Sequence, residues 1–133
     1  MARLNYTENP RRTPLHQRIM ANFRVQASWI DKVTGKLVLV EGLTENIGET
    51  SALVNLETLP PVGCEVSLRV MSDEVTLIEV PTEVIRVERD PSKPLAALSI
   101  VENLKNWKQN VMTEAQEWVT RQLKLNYEEE WVN

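Results

Sequence analysis

From Ile19 onward the chain alternates. Phe23, Val25, Ala27 and Trp29 share one parity and Arg24, Gln26 and Ser28 the other, the period of two that a half-buried β-strand imposes. Lys32-Val33-Thr34-Gly35-Lys36 reads as a hairpin turn, because Gly35 takes a positive φ without a Cβ clash. Residues 37–43 form the returning strand, and their apolar excess predicts burial on both faces. The polar stretch Thr44-Glu45-Asn46-Ile47-Gly48-Glu49-Thr50-Ser51 predicts a turn before the strand Ala52-Leu53-Val54-Asn55-Leu56. Beyond Leu59-Pro60-Pro61-Val62-Gly63, a further strand alternates Cys64, Val66, Leu68 and Val70 with Glu65, Ser67, Arg69 and Met71. Ser72-Asp73-Glu74 reverses the chain into a long strand over residues 75–88. A bend or bulge is expected there at Pro81, which has no N–H for the ladder. Asp90-Pro91-Ser92-Lys93-Pro94 is the last turn and residues 95–101 the last strand.

The period then changes. Leu104, Trp107, Val111, Ala115, Trp118, Val119 and Leu123 recur at spacings of three and four, one face of an amphipathic helix, with Asn103 as its expected N-cap. Six short strands followed by one helix predict a mainly β fold, a six-stranded antiparallel barrel with a C-terminal amphipathic α-helix across its mouth. Residues 1–18 lack apolar periodicity, contain Pro10 and Pro14, and read as a basic arm. Residues 19–125 hold the barrel and helix, and residues 126–133 an acidic and aromatic tail.

The net charge of −4 conceals an asymmetry. Residues 1–24 carry five arginines against one glutamate, a local +4, which leaves −8 for the rest. DNA or RNA binding calls for a broad basic surface, which this distribution excludes. A local basic arm suits a small anion, an acidic partner patch, or the chain's own Glu128-Glu129-Glu130. Apolar runs fall far short of the roughly 18 residues of a membrane span, so no membrane insertion is expected. Met1-Ala2-Arg3-Leu4-Asn5-Tyr6 has no apolar leader core, so a cytoplasmic location is expected.

Candidate chemistry is sparse. One histidine, His16, and one cysteine, Cys64, do not make a zinc site, and no nucleophile–base motif, phosphate loop or dinucleotide fingerprint is present. We therefore expect no catalytic residues, metal or cofactor. Binding chemistry is better represented. Arg11, Arg12 and Arg18 are close enough to converge on one anion, and the arginine fork pairs with phosphate oxygens or the guanine edge. Tyr127 and Trp131, set among acids beyond the amphipathic helix, are candidate anchors for a protein partner.

Over roughly residues 11–120 the order of these features resembles the PilZ family, bacterial barrels that bind cyclic di-GMP. In that family an Arg-x-x-x-Arg arm enters the barrel, and an Asp/Asn-x-Ser-x-x-Gly turn follows the second strand. Arg18 looks like the second arginine of the arm, and Asn46, Gly48 and Ser51 fall on the three named positions of the turn. Residues 82–87 and 95–100 resemble the family's closing strand pair. Three departures stand out. Pro14 occupies the place of the first arginine, for which Arg12 substitutes only if the arm carries two extra residues; Gly48 replaces the serine; and Ser51 replaces the glycine. If the last position requires a positive φ, serine there costs about 1 kcal/mol. The resemblance implies a non-catalytic regulatory adaptor in bacterial signalling that acts through a protein partner, its cyclic di-GMP site weakened or lost. The alternative it leaves open is a working cyclic di-GMP receptor using the arginine arm and the Asn46 turn.

Overall fold

The computed structural model of the chain describes the backbone of residues 17–132 and the side chains of residues 17–126. Among the described residues there are seven antiparallel strands: β1 (Arg18–Ile19), β2 (Arg24–Ile30), β3 (Leu37–Gly48), β4 (Ser51–Leu56), β5 (Glu65–Ser72), β6 (Val75–Glu88) and β7 (Leu95–Ile100). Their order is β1-β3-β2-β5-β6-β7-β4, and a further pairing of β4 with β3 closes six of them into a barrel. The two-residue β1 lies outside the closure, against the end of β3. Alternation sorts the side chains as the sequence predicts. Phe23, Val25, Ala27, Trp29, Val66, Leu68 and Val70 are buried, while the residues that alternate with them face out.

Three strand expectations are corrected. Residues 44–48 are not a turn but the end of β3, and the connection to β4 is reduced to Glu49 and Thr50. The segment is polar because of a bulge at Glu45, where register slips between Thr44 and Asn46. Residues 37–41 are not buried on both faces: Leu37 and Leu39 are exposed, and only Val38 and Val40 pack against the core. The expected irregularity at Pro81 is also displaced. Pro81 stays in register opposite Ser67, and β6 slips instead at Leu77 and Ile85.

The helical region begins where the period changes. A first turn, α1 (Leu104–Trp107), passes through a wide π turn (Lys108–Met112) into α2 (Thr113–Val132). Asn103 precedes the helix as expected but does not cap it with its side chain. It adopts a left-handed φ of 61°, a conformation asparagine tolerates, and its carbonyl accepts from the Trp107 N–H at 2.9 Å. Trp107, Val111 and Ala115 recur every four residues, a longer period than the 3.6 of an α-helix. A wider turn keeps them aligned, and all three are buried with Met112 in the barrel mouth. The apolar face then peels away: Trp118 and Val119 are half-buried, and Leu123 and Leu125 are exposed. The helical backbone continues to Val132, so residues 126–132, read as a separate tail, are its last turns. No helix among the described residues is long and apolar enough to cross a membrane.

Candidate functional site around Arg18

The bulge at Glu45 creates the site. Without it Asn46 would share the inward parity of Thr44. With it, Thr44 pairs inward opposite Val54, Asn46 turns outward opposite Leu53, and Ile47 returns to the core opposite Ala52. Thr44 is fully buried and fully used: its Oγ1 donates to the Ala21 carbonyl at 2.6 Å and accepts from the Phe23 N–H at 2.7 Å. Asn22 adds a bond from Nδ2 to the Thr44 carbonyl at 2.9 Å. These bonds clamp residues 21–23 against the bulge, and β1 follows in fixed register, Arg18 opposite Gly48 and Ile19 opposite Ile47.

Arg18 therefore lies flat on the outer wall. Its Nε and Nη2 donate to Asn46 Oδ1 at 2.9 and 2.5 Å, and its Nη1 donates to Ser51 Oγ at 2.6 Å. The close approach depends on Gly48, where any Cβ would collide with Arg18 Nη1. Among the described residues its bonded partners are neutral. Burial and then the cation of Arg86 both lower the proton affinity of its guanidinium, which remains charged.

Arg86 was not singled out by sequence, because the slip at Ile85 that sets its facing is invisible in the alternation. Cross-strand register places it in one outward row: Asn46 opposite Leu53, Leu53 opposite Ala97, Ala97 opposite Arg86. The row spans three inter-strand gaps, about 14 Å, with Leu53 and Ala97 as an apolar floor between polar ends. Serines sit one row over, Ser51 opposite Ser99. Arg86 is paired with Glu88. Glu45 and Glu49 are each paired with a lysine: Lys93 Nζ to Glu45 at 2.6 Å and Lys108 Nζ to Glu49 at 3.8 Å. On its other side Arg18 borders a groove of about 540 Å³ between β1 and α2, lined by Met20, Trp118, Val119 and Leu123.

Of the residues proposed from sequence, Arg18, Asn46, Gly48 and Ser51 are thus in mutual contact. Ser51 lies in β4 and is not among the residues of positive φ, so the left-handed strain expected of a serine there does not arise. Arg11 and Arg12 lie outside the described residues. Tyr127 and Trp131 fall within α2, and their side chains lie outside the description.

No family model and no curated protein sequence matches the chain. Solved structures do match its fold. The PilZ domain of CeSA from a cellulose-synthesizing bacterium superposes with a TM-score of 0.51 at 20% identity, covering 74% of this chain and 98% of that one. The Bacillus subtilis inhibitor of motility MotI/DgrA gives 0.55 at 23% identity over 80% of this chain, and the match spans 49% of that protein. The PilZ domain of Escherichia coli YcgR, solved with c-di-GMP, gives 0.60 at 12% identity, covering 81% and 95%. The fold is PilZ-like.

Proposed function

We propose that this chain is a non-catalytic, PilZ-like regulatory adaptor of bacterial signalling that acts through a protein partner and retains only a weakened cyclic di-GMP site. One observation carries the weakness. Arg18 is closed down on Gly48 and directs all three guanidinium nitrogens to Asn46 and Ser51. An incoming anion must first break those bonds, so its own charge-assisted bonds, about 1.5–3 kcal/mol each, are largely an exchange. The hydroxyl absent at Gly48 gives nothing back. The partner reading rests on α2, which carries Leu123 and Leu125 exposed beyond the barrel and leads into the segment holding Tyr127 and Trp131. A cytoplasmic location accompanies this reading.

A second reading, a working cyclic di-GMP receptor assisted by Arg11 or Arg12, is favoured by the outward row. A flat apolar floor of Leu53 and Ala97, with Arg86 at one end and at the other Arg18, which has no acidic partner among the described residues, suits the shape and charge of a nucleotide. Titration calorimetry with cyclic di-GMP separates the two. The adaptor reading expects a dissociation constant above about 10 μM, roughly −7 kcal/mol or weaker. Submicromolar binding that is lost in Arg18→Ala or Asn46→Ala overturns it and establishes the receptor.

A further inference from the structure

We propose that residues 1–16 of this chain dock along α2, with Leu15 seated in the groove between β1 and α2 and Arg11 and Arg12 against Glu128, Glu129 and Glu130. The contact is intramolecular and independent of both readings above. The groove, about 540 Å³, is apolar and opens outward. Met20 is 60% exposed in its lining and Leu123 64%, and Trp118 and Val119 are half-buried. Apart from Arg18 no charged residue lines it, so it suits an apolar side chain. Gln17, the first described residue, is itself part of the lining. The arm therefore leaves the barrel inside the groove, and Leu15, two residues back, has at most about 7 Å of chain to cover. A tethered segment enters at an effective concentration on the order of millimolar, which an external occupant must match.

The helix continues this surface. Val119, Leu123 and Tyr127 follow one another at intervals of four and Glu130 comes three further on, so they stand on one face of α2. Residues 120–126 are all exposed, yet the backbone stays helical to Val132. A helix that runs several turns past its last barrel contact is marginal in water, and a segment laid against it supplies contacts that propensity alone does not.

Charge selects the segment. Residues 113–132 carry five glutamates against Arg121 and Lys124, a net −3, and residues 1–16 carry three arginines against Glu8, a net +2. Reach agrees. Arg12 and Arg11 stand five and six residues before Gln17, up to about 20 Å of extended chain. Glu128 to Glu130 lie five to seven residues past Leu123, about 7–11 Å along the helix axis. Docked in this way, the arm holds Arg11 and Arg12 away from Arg18 and covers Leu123 and Tyr127, so it competes with a partner for that face of α2.

Thiol pairing in the full chain tests this. In a Cys64→Ala background, Leu15→Cys is combined either with Leu123→Cys in the groove or with Leu125→Cys, which is also exposed and within the same reach but on the far side of the helix. In dilute protein under mild oxidation, the Leu123 pair should close within one chain at least about fivefold faster than the Leu125 pair. That advantage should fall with Arg11→Glu and Arg12→Glu, and return when Glu128→Lys, Glu129→Lys and Glu130→Lys are added. A second readout needs no cysteine. In NMR spectra, Arg11→Glu with Arg12→Glu should shift the amide resonances of residues 119–130 and leave those of Asn46, Gly48 and Ser51 in place. Equal closure rates, cross-links between chains in place of within one, an advantage indifferent to charge reversal, or shifts at the Asn46 wall and none on α2 each overturns the proposal.

Discussion

The indole N–H of Trp107 donates to the carbonyl of Gly48 at 2.9 Å, so the helix is tied to the same residue on which Arg18 rests. Both groups are buried, and the bond ties the helix to the wall that carries the candidate site. Lys108, the next residue, reaches Glu49, the residue after Gly48. The C-terminal helix thus reads the position of the β3–β4 connection directly.

Removing the tether separates packing from hydrogen bonding. Trp107→Phe keeps an aromatic ring in the mouth but strands the Gly48 carbonyl, and we expect a loss of about 1–3 kcal/mol in urea unfolding. Trp107→Ala adds a cavity and should cost about 3–5 kcal/mol. If the phenylalanine variant matches wild type, the bond contributes nothing. If alanine costs less than about 1 kcal/mol, the helix does not close the core.

Gly48→Ser puts a side chain where Arg18 now lies. A flexible guanidinium yields more readily than backbone, so we expect Arg18 to swing off Asn46 and Ser51 with the fold kept. Its Nε proton resonance should lose its hydrogen-bonded shift in NMR spectra. Combined with Pro14→Arg and Ser51→Gly, which complete the family's pattern, the change should tighten cyclic di-GMP binding. A triple variant that binds no better than wild type means the nucleotide site was assigned to the wrong surface.

The β5–β6 reversal carries a local cost. Asp73 and Glu74 both take positive φ, 51° and 68°, as the two-residue hairpin turn between Ser72 and Val75 requires. Neither side chain favours that region, glutamate least. Replacing the pair by Asn-Gly should raise stability by about 1 kcal/mol, seen as a higher thermal midpoint. An unchanged or lower midpoint would show that the strain is compensated elsewhere.

Much of this was legible in the chain, and the failures have a common cause. Periods of two and then 3.6 announced six strands and a helix, because burial on one face forces those periods on the residues. Arg18 and Asn46 were recognisable by type and order. What the alternation hid was every place where register slips. The bulge at Glu45 made a strand end look like a turn, and the slip at Ile85 concealed Arg86. Ion pairs such as Lys93 with Glu45 join residues far apart in sequence and leave no local signal. The apolar excess of residues 37–43 was misread as double burial, when Leu37, Leu39 and Leu43 are exposed on the outer face.

In the turn before β7, Asp90 Oδ1 accepts from the Ser92 hydroxyl at 2.8 Å and the Ser92 N–H at 3.0 Å, and these bonds hold its carboxyl below the ordinary aspartate value. A depressed folded-state value means the contribution is present above the unfolded pKa and is lost as pH falls through the folded one. The turn should therefore loosen only in acid below the ordinary aspartate range. In NMR titration the Asp90 carboxyl should titrate below that of an unstructured peptide, and Ser92→Ala should move it up. An unmoved midpoint would remove the bonds as its cause.

The end of α2 offers the last test. Past Val119 the helix loses its hold on the barrel: residues 120–126 are all exposed, Leu123 and Leu125 among them, and the backbone runs on to Val132. A helix end whose preceding turns face water contributes little to the core. Deleting residues 126–133 should leave the thermal midpoint within about 4 °C, because exposed ion pairs and exposed terminal turns are worth under about 1 kcal/mol. If Tyr127 and Trp131 are partner anchors, the same deletion, and the double change Tyr127→Ala with Trp131→Ala, should abolish capture of whatever partner the full chain retains. A deletion that unfolds the domain would make the segment structural and return both aromatics to the core.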